Sequence, residues 1–384
     1  MIREKSLYVH RILNEFSDGL IKVFIPVIIY SKTESLGACL AFIIGYYLVQ
    51  SLFNYVLYQP MTRRPVLFLW IRILPVLLTQ FLLLSDYSST WLVMGFILSY
   101  SFSNVFYWTP LNFLFSKVAK GQVGLKTGKF QAASIIGKLL APLVAGYILT
   151  FLDIQVLVGL SVLVYMLSIL MLFRPMSSRV EPGTEGTTIE GDPKHPENKR
   201  NTTLFLFLSS YAIIGIFDTA EIFWSLYIYE ISINFLYVGV ASTLIQFGII
   251  ASNLLSGKIT DKKRWLMPTV VALFIFSVTW ILRANIEEVL LIFLISAIAG
   301  LLKPLFTVPF FSNFISEANS SGNPQRWIAL REIAIKTGGL ALTGTVALFG
   351  NVVALPFYIS AVSAIILVRQ AKAINQKHLK NSTD

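Results

Sequence analysis

Ionisable side chains interrupt several of the most apolar stretches of this sequence. Glu15, Asp18 and Lys22 are spaced three and four residues apart, so they share one face of a helix. Asp218 and Glu221 repeat the three-residue spacing about 200 positions later. A charge within an apolar stretch is costly in lipid and usually binds an ion, a proton or a substrate. These carboxylates could take up and release protons, because a poorly solvated carboxylate is protonated more readily than one in water.

Lysines occur within stretches of the same kind. Lys138 and Lys336 lie at depths similar to that of Asp18, which predicts a charge-paired centre near the middle of a membrane. The alternative is that Asp18 and Lys22 neutralise each other within one helix while the other lysines reach toward the membrane surface. That alternative is favoured for two cations nearer to one surface, Arg72 and Lys303.

Neutral polar and aromatic residues recur at helical spacing beside these charges. They would suit a cavity for an organic solute with both polar and apolar parts. Each of them could also form an ordinary hydrogen bond between helices. The candidates are Gln50, Asn54, Asn104, Trp108, Trp224 and Gln246.

The elements that must position these residues are membrane-spanning helices. Of the 384 residues, 55% are hydrophobic and 13% are charged, and the mean hydropathy is +0.70. A water-soluble protein of this length would need more polar and charged residues to cover its surface. Stretches long enough for a hydrocarbon core of roughly 30 Å must be helical, since their backbone groups have to pair internally. The predicted spans, first to twelfth, are 8–30, 36–59, 66–85, 90–114, 129–150, 155–173, 204–229, 234–256, 266–283, 288–314, 328–349 and 353–370.

The spans divide into two halves of similar length. Residues 174–203 are polar and rich in proline and glycine, which predicts a flexible linker between a bundle at 1–173 and a bundle at 204–384. Polar features recur between the halves, such as Pro110 with Pro309 and Asn54 with Asn253. An internal duplication of this kind is typical of membrane proteins in which two bundles enclose a cleft that carries solutes.

The net charge of +11 is distributed unevenly. Most of the 31 lysines and arginines fall in the tails and loops on one side, and only Lys32 and Arg283 are assigned to the other. By the positive-inside rule, both termini are cytoplasmic and the protein lies in the plasma or inner membrane. The basic segments are therefore expected to contact anionic lipid, and nucleic acid is excluded as a partner.

A basic turn after the eighth span carries a family resemblance. Residues 257–264 read GKITDKKR, which resembles the signature turn G-x-x-x-D-[RK]-x-[GRK]-[RK] of the major facilitator superfamily. The equivalent turn after the second span keeps the basic pair, but Tyr58 replaces the glycine and Thr62 the aspartate. The resemblance implies twelve transmembrane helices in two pseudo-symmetric six-helix bundles. It also implies a cytoplasmic gate that includes Gly257, Asp261, Lys262, Lys263, Arg63 and Arg64.

The fifth span contains a second stretch of this kind. Residues 137–146 look like a degraded form of the G-P-x-x-G-G motif of drug–proton antiporters, around Pro142. Small residues at such positions let helices approach closely.

The function implied by the resemblance is secondary active transport of a small organic solute by alternating access, coupled to a proton or another ion. Asp18 is then the expected coupling residue and Asp218 its symmetric partner, and the lysines favour anionic solutes slightly. When the cytoplasmic side is closed, Asp261 is expected to contact the start of the fifth span near Lys126 or Lys129. We expect a monomer.

Two alternatives of the same architecture remain: a lipid or glycolipid flippase, and a receptor or scaffold that does not transport. An enzyme is not expected. The three histidines, His10, His195 and His378, lie near the tails or the linker, and Cys39 is the one cysteine. The sequence also shows no phosphate-binding loop and no spacing typical of a metal site, so neither a metal nor a cofactor is expected.

Overall fold

The computed structural model describes residues 4–85, 90–118, 123–172, 197–262, 264–321, 323–349 and 353–381. These residues form sixteen helical segments and, within these ranges, no strand. Each predicted span corresponds to one or two of the segments. The structure is therefore all-helical, as the apolar patterning predicts.

The first six spans comprise nine segments. The first span is divided into two helices, as are the third and the fifth. In chain order the segments are α1 (Glu4–Lys22), α2 (Ile25–Thr33), α3 (Leu36–Arg63), α4 (Pro65–Ile71), α5 (Ile73–Leu83), α6 (Thr90–Val118), α7 (Val123–Lys138), α8 (Ala141–Phe151) and α9 (Ile154–Leu172).

The last six spans comprise seven segments, and only the tenth span is divided. In chain order they are α10 (Glu197–Ser232), α11 (Phe235–Asp261), α12 (Leu266–Arg283), α13 (Val289–Leu302), α14 (Pro304–Ser320), α15 (Pro324–Leu348) and α16 (Leu355–Asn381). Because α10 begins at Glu197, the last seven residues of the predicted linker are helical. Residues 173–196 lie outside the described residues.

Nine stretches of the described chain are long and apolar enough to cross a membrane by length and composition alone. The remaining three spans contain α1, α6 and α15, which hold many of the polar side chains singled out above. A helix that turns charged groups toward other helices lowers its mean hydropathy without exposing those groups to lipid. These three polar spans therefore supply many of the side chains of the candidate site.

Each of the four divided spans breaks at a basic residue. A proline follows the break closely, and proline both lacks an N–H group and displaces the carbonyl four residues earlier, so it interrupts a helix. The basic residue and the proline are Lys22 and Pro26 in the first span, Arg72 and Pro75 in the third, Lys138 and Pro142 in the fifth, and Lys303 and Pro304 in the tenth.

Glycines set the closest contacts between helices. Within the second half, a Cβ atom on Gly215 of α10 would meet the carbonyl oxygen of Ile335, and one on Gly338 of α15 would meet that of Ala212. Between the halves, a Cβ atom on Gly146 of α8 would lie 2.8 Å from the carbonyl oxygen of Phe235. The backbones are in direct contact at each of these places, which only glycine permits.

The two halves contact each other at both ends of their interface. At one end the rings of Phe115 and Phe311 stack with centroids 6.1 Å apart. At the other end Tyr30 meets Tyr229 edge to face at 6.5 Å. Between these ends the side chains of Tyr47 in α3 and Thr219 in α10 form a hydrogen bond of 2.8 Å. The charged residues of the central spans lie between these contacts.

Candidate functional site

Asp18 is paired with Arg72, which lies at the break in the third span. The Nη2 atom of Arg72 donates to both carboxylate oxygens of Asp18, at 2.9 and 3.1 Å. The same guanidinium donates through Nε to the carbonyl oxygen of Ser103 at 2.8 Å and through Nη1 to Asn14. Arg72 is only 2% exposed and Asp18 is 24% exposed. The arginine is thus fixed from three sides, and the carboxylate is its one accessible partner.

A small pocket opens beside Asp18, between α1, α5 and α6. Its volume is about 20 Å³, which is room for one water molecule or a small ion, and most of its lining residues have polar side chains. Its lining residues include Asp18, Lys22, Thr79, Gln80, Tyr100 and Asn104. Asp18, Lys22 and Asn104 were predicted from the sequence, whereas the contribution of α5 was not. All of the lining residues belong to the first half, and Asp218 is not among them.

Glu15 is paired with Lys138 rather than exposed to a cavity. The Nζ atom of Lys138 lies 2.7 Å from Oε2 of Glu15, and Nε of Arg11 lies 3.8 Å from Oε1. The guanidinium of Arg11 stacks 3.6 Å from the ring centroid of Phe130. Glu15 and Arg11 are both buried, so this pair joins the break in the fifth span to the first span.

The second half contains two ion pairs of its own. Asp218 of α10 lies 2.8 Å from Nζ of Lys303, at the break between α13 and α14. Glu221, one turn further along α10, lies 3.1 Å from Nη1 of Arg283. Asp218 is 45% exposed, whereas Arg283 is fully buried between the rings of Trp224 and Trp280. Asp218 is therefore the accessible carboxylate of this half.

Glu332 connects the two halves. It accepts a hydrogen bond of 3.0 Å from Nδ2 of Asn112 in the first half. The same oxygen, Oε1, is paired with Nη1 of the neighbouring Arg331 at 2.5 Å. The guanidinium of Arg331 lies over the rings of Tyr211 and Phe311. This contact holds α6 against α15.

Lys22 and Lys336 lie over aromatic rings. Nζ of Lys22 is 6.0 Å from the ring centroid of Trp108, and Nζ of Lys336 is 5.7 Å from that of Tyr47. The two lysines come from different halves of the protein. Nζ of Lys138 also lies 5.6 Å from the ring centroid of Trp108, so this ring lies near two lysines of the first half.

Several of the predicted neutral residues hold helices together. Asn54 accepts a 2.6 Å hydrogen bond from Thr109 and donates to the carbonyl of Gln50, and both amides are buried. Nε1 of Trp224 donates a hydrogen bond of 3.1 Å to the hydroxyl group of Ser296, and the Trp224 side chain is buried. Gln246 is half-buried on α11. Among these residues, Asn104 and Trp108 are the ones beside the exposed charges.

The predicted gate lies at the end of α11 and the end of α3. Gly257 is buried, and the neighbouring Ser256 donates a 2.7 Å hydrogen bond to the carbonyl of Pro304. The remaining described members of the gate are exposed at the surface: Asp261, Lys262, Arg63 and Arg64. Lys263 lies outside the described residues. The helix that carries Lys126 and Lys129, α7, packs along α11.

The pairing of the charges was not apparent from the sequence. Arg72 and Lys303 were interpreted as cations that reach toward the surface, yet they hold Asp18 and Asp218. Arg283 was counted among the cations of the side opposite the termini, at the end of the ninth span, and is fully buried. A spacing of three residues between Glu221 and Trp224, and between Trp280 and Arg283, is the signal that could have suggested this cluster. No group of three histidine, cysteine, aspartate or glutamate side chains within the described ranges could hold a metal ion.

Solved structures share this architecture over nearly the whole chain. A bacterial homologue of the iron transporter ferroportin, crystallised in an outward-facing state with soaked iron, superposes with a TM-score of 0.70 at 13% identity, covering 98% of this chain and 99% of that one. The human organic anion transporter MFSD10 (TETRAN) gives a TM-score of 0.65 at 13% identity, covering 96% and 98%. The nucleoside transporter NupG gives 0.64 at 13% identity, covering 97% and 99%.

At these identities the likeness establishes the fold and leaves the solute open. No curated protein matches the chain by sequence. The sequence model of the Major Facilitator Superfamily matches residues 8–329, which include the first half and the second half as far as the tenth span. The chain is therefore an integral membrane protein of the Major Facilitator Superfamily, with the twelve-helix transporter fold of that family.

Proposed function

We propose that this protein is a secondary active transporter that moves a small organic solute by alternating access, driven by a proton or another ion. The observation that carries the proposal is the ion pair between Asp18 and Arg72. It joins an accessible carboxylate in the middle of one span to a buried cation at the break of another. A charge pair of this kind within the membrane is costly and usually functional.

Protonation of Asp18 would remove the charge that faces Arg72. The guanidinium group would keep its contacts with Asn14 and Ser103. The electrostatic attraction between the first and third spans would become weaker. Because Asp18 also lines the pocket beside Lys22, a bound solute and a bound proton would act on the same carboxylate. In the second half Asp218 is paired with Lys303 of the tenth span. The pair Glu221–Arg283 joins the seventh and ninth spans, as Asp18–Arg72 joins the first and third.

The organisation of the chain supports a rocking motion of two bundles, at 1–173 and 204–384, joined by the linker at 174–203. The halves contact each other at both ends, so each access route would open only when one of these contacts separates. The distribution of basic residues supports a protein in the plasma or inner membrane with both termini in the cytoplasm, and we propose that it acts as a monomer.

Flux measurements in proteoliposomes test this proposal. Solutes that raise the thermal unfolding midpoint of the purified protein should accumulate inside proteoliposomes, and an imposed proton or sodium gradient should increase the accumulation. Protein-free liposomes and liposomes with heat-denatured protein serve as controls. Solutes that bind but never cross, with any gradient and in either direction, would contradict transport and favour a receptor.

The predicted gate can be tested by cross-linking. In a background in which the buried Cys39 is replaced by serine, Asp261→Cys with Lys126→Cys should form a short cross-link. That link should stop flux until it is reduced, because α11 and α7 must separate to open this side. Asp261→Cys with Lys372→Cys is the control, since α16 lies on a different side of the second half. A cross-link that never forms, or one that leaves flux unchanged, refutes the gate.

A further inference from the structure

The two halves also meet in the middle of their interface, through the side chain of Tyr47. The ring extends from α3 to contact residues of both α10 and α15. A Cβ atom on Gly339 of α15 would overlap Cε2 of this ring and would lie 2.5 Å from Oγ1 of Thr219 on α10. The ring therefore lies directly against the backbone of α15, which a residue larger than glycine at position 339 would prevent.

The hydrogen bond between Tyr47 and Thr219 has a defined direction. The hydroxyl group of Thr219 donates to the carbonyl oxygen of Gly215 at 2.8 Å. Because that hydroxyl group has a single hydrogen, Tyr47 is the donor in the 2.8 Å bond to Thr219. Tyr47 is only 5% exposed, so loss of this bond would leave its hydroxyl group buried without an acceptor, which is costly.

Both sides of this contact are firmly packed. On the side of the second half, the backbones of α10 and α15 touch at Gly215 and Gly338. On the side of the first half, the ring centroid of Tyr46 lies 5.2 Å from that of Tyr47 and 4.9 Å from that of Tyr100 on α6. The contact thus joins two packed groups of helices.

The contact lies at mid-depth in the interface. Its three residues are near the centres of their predicted spans, which are 36–59 for Tyr47, 204–229 for Thr219 and 328–349 for Gly339. The aromatic contacts at the two ends of the interface lie on either side of it. When two rigid bodies rock against each other, displacement grows with distance from the axis. Contacts at the ends then separate, whereas a contact near the axis is kept.

We propose that Tyr47, held between Thr219 and Gly339, is the pivot about which the two halves rock. This inference rests on the proposed transport function and assigns a residue to its motion. The end contacts separate in turn to open each side, whereas the contact of Tyr47 stays closed. The buried hydroxyl group of Tyr47 then keeps its acceptor at every stage of the cycle.

Cross-links at the middle and at the ends of the interface should have different effects on flux. The cysteine pairs, in a Cys39→Ser background, are Tyr47→Cys with Thr219→Cys for the middle, and Phe115→Cys with Phe311→Cys and Tyr30→Cys with Tyr229→Cys for the ends. After linkage by a short bis-methanethiosulfonate, the middle pair should keep about half or more of the flux of the reduced protein, whereas either end pair should lose about nine-tenths. A middle link that stops flux as the end links do overturns the pivot.

Distances between spin labels test the pivot without replacing the residues of the contact. The labels are placed on exposed residues beside the middle contact and beside one end contact, as Leu48→Cys with Ala341→Cys and Ser31→Cys with Glu230→Cys. Changes of pH, or a solute that raises the unfolding midpoint, should shift the distance in the end pair and leave that in the middle pair unchanged. A middle pair that shifts as much as the end pair, or an end pair that never shifts, contradicts the pivot.

The two proposals fail separately. If the end pair shifts and the middle pair does not, but no solute crosses proteoliposomes under any gradient, the pivot stands and transport does not. If the reduced protein carries solute and the middle cross-link abolishes that flux, the pivot is wrong and transport stands.

Discussion

Asp18→Asn is expected to reduce gradient-driven flux to the level of protein-free liposomes while the protein still folds and inserts. Asparagine keeps an oxygen that can accept a hydrogen bond from Arg72, so the local geometry is preserved. It cannot, however, exchange a proton or carry the charge that opposes the guanidinium. Solute binding at equilibrium should persist, because the rest of the pocket is unchanged. Flux with and without an imposed gradient, measured on the same preparation, separates coupling from binding.

Stability measurements separate coupling from a purely structural role. Removing one partner of a buried ion pair costs roughly 3–5 kcal/mol. Asp18 is 24% exposed and asparagine retains a hydrogen bond, so we expect a loss of about 2 kcal/mol. The double variant Asp18→Asn with Arg72→Gln should recover stability but not flux. Glu221→Gln is the matched control, since it leaves the buried Arg283 without its carboxylate and should lower stability while some coupled flux remains. Normal coupled flux in Asp18→Asn would remove this residue from the mechanism.

Gly338→Ala is expected to prevent the second half from folding stably. The added methyl group would overlap the carbonyl oxygen of Ala212 on α10 and approach its Cα atom at 3.0 Å. These are backbone atoms of a packed helix, so α10 and α15 must separate along their length. Overpacking of this kind costs typically about 1–3 kcal/mol, and more where the backbone cannot move. The yield of monodisperse protein and its thermal unfolding midpoint in detergent measure the effect.

The same helix offers a control for that substitution. Gly344 is also on α15, and no atom lies within 4 Å of the position of its Cβ. Gly344→Ala should therefore be neutral or should raise the unfolding midpoint slightly, because alanine favours helix over glycine by about 1 kcal/mol. Equal loss in both variants would mean that helix propensity, and not the contact between α10 and α15, decides the result.

The fold could be predicted largely from the sequence because the bilayer leaves few options. An apolar stretch of about 20 residues has to be a helix, since its backbone groups have no other partners. The predicted second span, 36–59, and α3 begin at the same residue. The breaks were harder to predict. Prolines at positions 26, 75, 142 and 304 are visible in the sequence, but Pro60, Pro110 and Pro309 occur within continuous helices.

The residues of the site could be identified, but their partners could not. Glu15 and Asp18 are three residues apart, yet one pairs with the fifth span and the other with the third. That choice depends on how each helix is rotated about its axis and on its depth against its neighbours, which local spacing does not encode. The expectation that Asp18 faces Lys22 or Lys138 used depth alone. The neutral residues were equally hard to interpret from the sequence. Asn54 and Trp224 were candidates for the lining of a cavity, but in the structure both form hydrogen bonds with other residues of the protein.

The interruptions of the first and fifth spans have an electrostatic consequence. Lys22 and Lys138 are the last residues of α1 and α7, where the free carbonyl groups of a half-helix carry partial negative charge equivalent to about half an electron. The partial charge of the helix end screens the ammonium group of Lys22, whereas that of Lys138 is already paired with Glu15 at 2.7 Å. Under the proposed transport function, this screening would lower the electrostatic cost of moving the empty site from one side of the membrane to the other.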